Sequence, residues 1–320
     1  MVDGTFDEQR FYMTYARSRP TELVPWIEEH NVPLLTNAIH RWSDATNRLL
    51  SMWEYDTPHV IDAGGYNVMA SWVTRGGKLC SEYDADDILE ERQNESPFYP
   101  WSIEEYHDWL CKHEDEFEWA TVMDYACEDR FNPLCDYQER INMTFDTTIR
   151  QFNRLQDSGS SYKLLPVLQG RSVDEYVEFY DRLSDHGIPT DHLGLGTVCR
   201  ISSEKRIVEF EKTIRERTGV ERLHGFGVKI EAFKHGGTFD SSDSQAWVYS
   251  PSNGEVVLDD GDRLRSVPID DSQIRTVESF KNYYSYVTRL QQGRSAVQYQ
   301  PTVDPTSSTR SIQQSLTESD

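Results

Sequence analysis

Residues 163–230 constrain the fold more than any other stretch. "KLLPVLQG" (163–170) is a short apolar run that ends in Gln-Gly. In the segment that follows, Ser172 and Glu175 have the spacing of a capping box. Val173, Tyr176, Val177, Tyr180 and Leu183 recur at helical period, and Gly187 stands where a helix closes. "HLGLGTVCRI" (192–201) is a second run, followed by a helix that turns Ile207, Phe210 and Ile214 inward and ends at Gly219. "RLHGFGVKI" (222–230) is a third. Strand, helix, strand, helix, strand with short links makes parallel strands joined by right-handed crossovers.

Five more runs fit strands: 10–18, 33–40, 59–66, 118–127 and the start of 237–247. Eight such units predict an α/β chain folded as a (β/α)8 TIM barrel over residues 1–291, close to the usual size of roughly 250 residues plus insertions. An open doubly wound sheet is the runner-up, but the GxGxxG of its phosphate-binding turn is missing. Residues 67–101 contain the acidic stretch "EYDADDILEERQNESPFYPW" and predict a lid-like insertion at the barrel mouth. Ser102 and Glu105 then cap another helix. A last helix spans 271–291, with Ile274, Val277, Tyr284 and Val287 on one side. Residues 292–320, rich in Ser, Thr, Gln and Pro, predict a disordered tail.

No run of about 18 apolar residues occurs, and "MVDGTFDEQR" has no signal-peptide pattern, so a cytoplasmic protein without membrane contact is expected. There are 55 acids against 32 bases, only eight of them Lys, for a net charge of -23. So acidic and Lys-poor a surface suits a cytosol with molar salt, and a halophilic source is expected. At molar salt the Debye length is roughly 3 Å, so the charge does not exclude a nucleic-acid substrate. The five cysteines (80, 111, 127, 135, 199) include no CxxC, which argues against a disulfide framework or a zinc ribbon.

In a (β/α)8 barrel the C-terminal strand ends face the active site. Here they carry Asp62, Asp124, Gln169, His224 and Asp243, among glycines 64, 65, 170, 194, 196, 225 and 227. Barrel packing asks for Val, Ile and Leu at such places. Each acid alone has a plain reading: Asp62 as a helix cap, Asp124 paired with Arg130, Asp243 in an Asx-turn. The set as a whole suits a flat polar ring lying on glycine backbone, read at its edge by Asp and Gln. A second acid at C1 of a sugar acts as nucleophile in carboxylate chemistry. Base exchange at a nucleoside combines the two.

These residues resemble a known family. "IDAGGY" is similar to the DSGGF motif of tRNA-guanine transglycosylases. "VMDYAC" is similar to their guanine-reading Asp and Cys segment, with one extra residue before the Cys. "PVLQG", "LGLG" and "HGFG" resemble their VQG, LGG and MGVG, and "SSDSQAW" stands at their nucleophilic Asp. The six motifs keep the family's order over 59–247. "DYACED", "LHGFGVK" and "DSQAW" look more like the DNA branch of the superfamily, the DpdA 7-deazapurine transglycosylases of phages, archaeal viruses and bacterial DNA-modification islands. The CxCxxC of the tRNA enzymes is missing after the nucleophile position, so the resemblance implies no metal and no cofactor.

It also implies the roles. Asp243 attacks C1′ of a deoxyguanosine in DNA and expels guanine. A 7-deazaguanine of the preQ0 kind enters, with Asp62 as its base. Asp124 and Gln169 read the ring edge; Gly64, Gly65, Tyr66, Gly170, Gly194, Leu195, Gly196, His224 and Gly225 line the base site. His224 replaces the usual Met, and contact with sugar or ring stands beside simple packing. Tyr66, Phe226 and Trp247 are candidates to stack on the flipped base, and Arg200, Arg206, Lys229 and Lys234 to meet phosphate. Three other classes stay open: an enzyme acting on tRNA, a non-catalytic nucleic-acid-binding subunit, and an unrelated barrel glycosidase. The oligomeric state is left open.

Overall fold

A computed structural model describes residues 9–15, 23–43, 45–46, 48–52, 56–74, 98–198, 201, 203–261 and 263–292. The eight expected strands are β1 (Arg10–Tyr15), β2 (Leu34–Asn37), β3 (His59–Asp62), β4 (Trp119–Thr121), β5, β6 (His192–Leu195), β7 (Arg222–Gly225) and β8 (Ser241–Ser244). β5 is written in two pieces, Leu164–Leu165 and Val167–Leu168, parted by Pro166. The first piece pairs with β4 and the second with β6. All neighbours are parallel, and β8 pairs with β1. The strands therefore close into a (β/α)8 barrel through β5. Pro166 accepts from Gly194 N at 2.9 Å but has no N–H to return, which explains the break.

The helices between strands bury one side and cap as their sequences dictate. Ser102 and Ser172 both form capping boxes, with Glu105 and Glu175. Gly187 and Gly219 follow their helices at φ 71° and 74°, conformations that cost glycine nothing. Two stripes differ from expectation. On helix Val173–Asp185 the buried residues are Tyr176, Phe179 and Leu183. On the last helix, Ser272–Gln292, Phe280, Tyr283, Tyr286 and Val287 are buried, because this helix packs on two sides, against Trp26 and Trp247 and against the antiparallel hairpin Glu255–Asp259/Leu264–Pro268.

Residues 67–74 of the expected lid continue helix Gly65–Thr74, and Phe98, Tyr99 and Trp101 are buried in the core. The rest of it, 75–97, lies outside the described residues, as do tail residues 293–320. The barrel interior is plugged by Tyr12, Leu35, Val60, Trp119 and Leu165, one residue from each of β1 to β5, with Phe226 packed on them. No helix among the described residues is long and apolar enough to cross a membrane.

Candidate active site

Above this plug a cleft of about 320 Å³ opens at the C-terminal ends of the strands. Asp62, Gly65, Tyr66, Asp124, Gln169, Gly196, Phe226, Gly227, Lys229 and Asp243 line it, so the three strand-end acids and the one amide expected to do chemistry meet there.

Asp124 is placed by an irregular segment. After β4 the chain leaves strand geometry, and its backbone N–H groups need other acceptors. Gln151 Oε1 takes Met123 N at 2.8 Å, Tyr99 takes Asp124 N at 3.1 Å, Thr144 takes Tyr125 N at 2.9 Å and Thr197 takes Cys127 N at 2.9 Å. The side chain then accepts from Gln169 Nε2 at 2.7 Å. Thr197 in turn donates to Gln169 Oε1 at 2.6 Å. Gln169 is thus fixed at both ends, with its second amide hydrogen left over. The glycines permit this closeness. A Cβ on Gly65 would stand 2.3 Å from Asp124 O, and one on Gly196 would stand 2.3 Å from Gln169 Nε2. Arg130 does not pair with Asp124; it donates to the Tyr66 hydroxyl at 2.7 Å.

Asp62 sits beside Asn37 across the β2–β3 register. Its Oδ1 accepts from Gly64 N at 2.9 Å, an Asx-turn before helix Gly65–Thr74, and lies 3.5 Å from Thr121 Oγ1. Burial raises its pKa well above the usual carboxylate range, and the charges of Asp124 and Asp243 add to this. Burial raises Asp124 as well, against the opposing hydrogen bond from Gln169. Asp243 is held differently. Thr14 Oγ1 donates to its Oδ2 at 2.7 Å and Gly227 N to its Oδ1 at 2.9 Å, and among the described residues no arginine or lysine forms an ion pair with it. Thr14 reaches it because β1 lies next to β8, with Tyr12 opposite Asp243.

Other expected site residues fall outside the cleft lining. Gly194 seats Phe226, whose ring atom Cε2 would lie 2.4 Å from a Cβ there. Gly225 seats Val228 and Phe239, and Gly170 packs on Tyr176. Leu195 is core, Gly64 turns the chain at φ 88° against Asn37, and His224 is fully buried beneath Asp243. Trp247 is no stacking platform: it is buried, with its indole N–H on Thr14 O at 3.0 Å. Arg206 lines a neighbouring hollow with Arg130 and Arg171, while Arg200 and the Lys234 side chain lie outside the described residues. Cys127 is buried, which pushes its thiol up to about 12, so it stays protonated. Among the described residues no group of three His, Cys, Asp or Glu could hold a metal ion.

Sequence reasoning missed Thr14, Asn37, Tyr99, Thr121, Glu128, Thr197 and Gln245. Asn37, Thr121 and Gln245 sit at or next to strand ends, so the rule that found Asp62 could have found them.

Fold and site define a closed (β/α)8-barrel protein with a carboxylate-rich cleft at its C-terminal mouth. Residues 95–258 match the family DpdA, described as DeoxyPurine in DNA protein A, and the chain belongs to that family. The match contains Asp124, Gln169, His224 and Asp243 and leaves Asp62 outside it. No curated protein matches the chain.

Proposed function

We propose that this protein exchanges guanine in DNA for a 7-deazaguanine of the preQ0 kind through a covalent aspartyl-glycosyl intermediate. The observation that carries this is the pairing of two unlike carboxyls across one base-sized cleft. Asp243 is oriented by neutral donors, Thr14 Oγ1 and Gly227 N, and suits the role of nucleophile. Asp62 is raised by burial and can hold a proton.

In the first half, a carboxylate oxygen of Asp243 bonds to C1′ as the C1′–N9 bond breaks. The electron pair leaves on guanine N9, which takes the proton held by Asp62. In the second half, Asp62 takes the N9 proton of the incoming 7-deazaguanine. N9 then bonds to C1′, and the C1′–oxygen pair returns to Asp243. Asp124 faces the N–H edge of the ring, and the second amide hydrogen of Gln169 is available to its carbonyl. Gly65 and Gly196 keep the walls thin enough for a flat ring. Tyr66 and Phe226, both in the lining, are placed to stack on it. The target base must leave the helix stack, at a cost of a few kcal/mol.

The family's DNA name favours DNA over tRNA. The test is mass spectrometry of nucleosides from DNA and, in parallel, tRNA, each incubated with the protein and 7-cyano-7-deazaguanine. The deazaguanine nucleoside is expected in DNA. Incorporation into tRNA alone would move the assignment to the tRNA enzymes, and none in either would remove the base-exchange reading.

A further inference from the structure

We infer that His224 is a positioning residue for Asp243: it donates a hydrogen from Nε2 toward Oδ1 and eases the departure of that carboxylate in the second half of the exchange. The inference rests on Asp243 being the nucleophile proposed above.

The geometry is specific. His224 is the penultimate residue of β7, before Gly225, and is fully buried, outside the lining of the cleft. Its Nδ1 lies 2.8 Å from Ser241 Oγ, its register neighbour on β8. Its Nε2 lies 3.4 Å from Asp243 Oδ1, close enough for ion pairing but without hydrogen-bond alignment, and has no other partner. An imidazole with Nδ1–H toward Ser241 would aim a lone pair at the carboxylate, which is repulsive. With Ser241 donating to Nδ1, the hydrogen sits on Nε2 and faces Oδ1, which is attractive. The polar arrangement selects the second tautomer.

The ring has little freedom to do anything else. Trp119, Phe226 and Tyr12 surround it, with ring centroids 5.0, 4.5 and 6.1 Å away. The nearby His192 contributes no positive charge: burial, then Lys163, lowers its pKa to about 3. Oδ1 therefore has one hydrogen-bond donor, Gly227 N, and a second N–H, His224 Nε2, in longer electrostatic contact, while Oδ2 has Thr14.

Donors to a carboxylate act oppositely on the two half-reactions. They lower its nucleophilicity slightly when it attacks C1′. They stabilise it as a leaving group when the incoming base displaces it. Loss of one donor should therefore slow breakdown of the adduct while leaving its formation intact. A merely structural defect would slow both together.

The experiment compares wild type, His224→Gln, His224→Phe and Ser241→Ala. Excess protein is mixed with labelled DNA, and the protein–DNA adduct is followed on denaturing gels. Excess 7-cyano-7-deazaguanine is then added, and adduct loss is timed. His224→Phe should form adduct at a rate within about threefold of wild type and lose it about tenfold more slowly, the weight of one N–H that closes to a hydrogen bond as the charge returns to the departing carboxylate. His224→Gln, which keeps an N–H at similar reach, should restore most of the breakdown rate. Ser241→Ala, which removes only the group that sets the tautomer, should fall between and keeps the test alive if His224→Phe does not fold. Equal breakdown rates in wild type and Ser241→Ala or His224→Phe would overturn the inference, as would a parallel loss in both steps. A wild-type protein that forms no adduct would overturn the base-exchange reading itself, a failure distinct from a failure of the His224 role.

Discussion

Acids lie at both ends of the barrel, and their partners differ. At the N-terminal end they meet arginine. Glu118 pairs with Arg10 and accepts from the Tyr12 hydroxyl at 2.9 Å. Asp191 pairs with Arg222 at 2.8 Å. Arg215 bridges Glu211 at 2.9 Å and Asp240 at 2.7 Å. At the C-terminal mouth Asp62, Asp124 and Asp243 take an amide, two hydroxyls and backbone N–H groups, with no arginine or lysine ion pair to them among the described residues. An arginine satisfies an acid and fixes it as a charge. Neutral donors hold an acid in place but leave its proton and its electron pair usable. The same residue type is thus a strut at one end and, in the proposed exchange, a reagent at the other.

The comparison breaks most completely at Asp243. Asp243→Ala should abolish base exchange and leave no covalent protein–DNA adduct on a denaturing gel. The circular dichroism spectrum should stay that of the folded protein, because the side chain is one of four acids bordering an open cleft. An adduct that survives the change would move the nucleophile to another group. Asp62→Ala is expected to be milder. Turnover should fall by roughly 10²–10⁴, the usual worth of general acid–base catalysis, while slow adduct formation persists. Full turnover in an exchange assay would take Asp62 out of the proton transfer.

These two acids were visible in the sequence because each interrupts or ends a run that packing would fill with Val, Ile or Leu. The strands were visible for the same reason: each is a short apolar run with a polar or glycine stop. Thr14 was not visible, and Asn37, though it ends a strand, carried no sign of its neighbour. A threonine or asparagine at a strand end looks like any turn residue, and only the β1–β8 and β2–β3 pairings bring them beside Asp243 and Asp62. Thr197 was hidden in another way, since it adopts φ 59° and bonds residues 28 and 70 positions away. The strand-end glycines were read as contacts for a base, yet Gly194 and Gly225 make room for Phe226 and Phe239. From sequence, a glycine that admits a ligand and one that admits a neighbouring ring look alike.

The other end of the barrel supplies the control. Glu211 is fully buried and accepts from Arg215 and from Thr238 N at 2.9 Å. Glu211→Ala leaves Arg215 and the Thr238 N–H without that acceptor. It should cost about 2–4 kcal/mol in urea unfolding, the scale for breaking a buried pair. The exchange rate per folded molecule should not change. A stable variant with slowed chemistry would erase the distinction between strut and reagent.

The smallest expected effect is the most direct test of that distinction, because it predicts opposite slopes with pH. Asp62 is raised by burial above the ordinary carboxylate pKa. Between the ordinary value and the raised one, the folded protein holds a proton that the unfolded chain has released. Stability therefore declines as pH rises through this window and levels off above it. Asn at position 62 never ionises, and it also removes one charge that acts on its carboxylate neighbours. Asp62→Asn should melt with wild type near pH 4 and a few degrees above it near pH 8, a shift typical of a small free-energy change in a domain of this size. Asp191 behaves in the other sense. Burial is the largest single influence and opposes its ionisation, but the hydrogen bond from Arg222, a backbone hydrogen bond and the charges of Arg222 and Lys163 together lower the pKa. Its contribution is present above the ordinary carboxylate pKa and is lost as pH falls through the lowered one. Asp191→Asn should therefore melt slightly below wild type at neutral pH and converge with it in acid. The effect is small because the pair is half exposed and screened by solvent. Melting curves of the three proteins from about pH 2 to pH 8 read both slopes, that of Asp191 in the acid end and that of Asp62 above it. Parallel curves for Asp62→Asn and wild type would mean that Asp62 is an ordinary carboxylate and that its neutral partners do not set it apart.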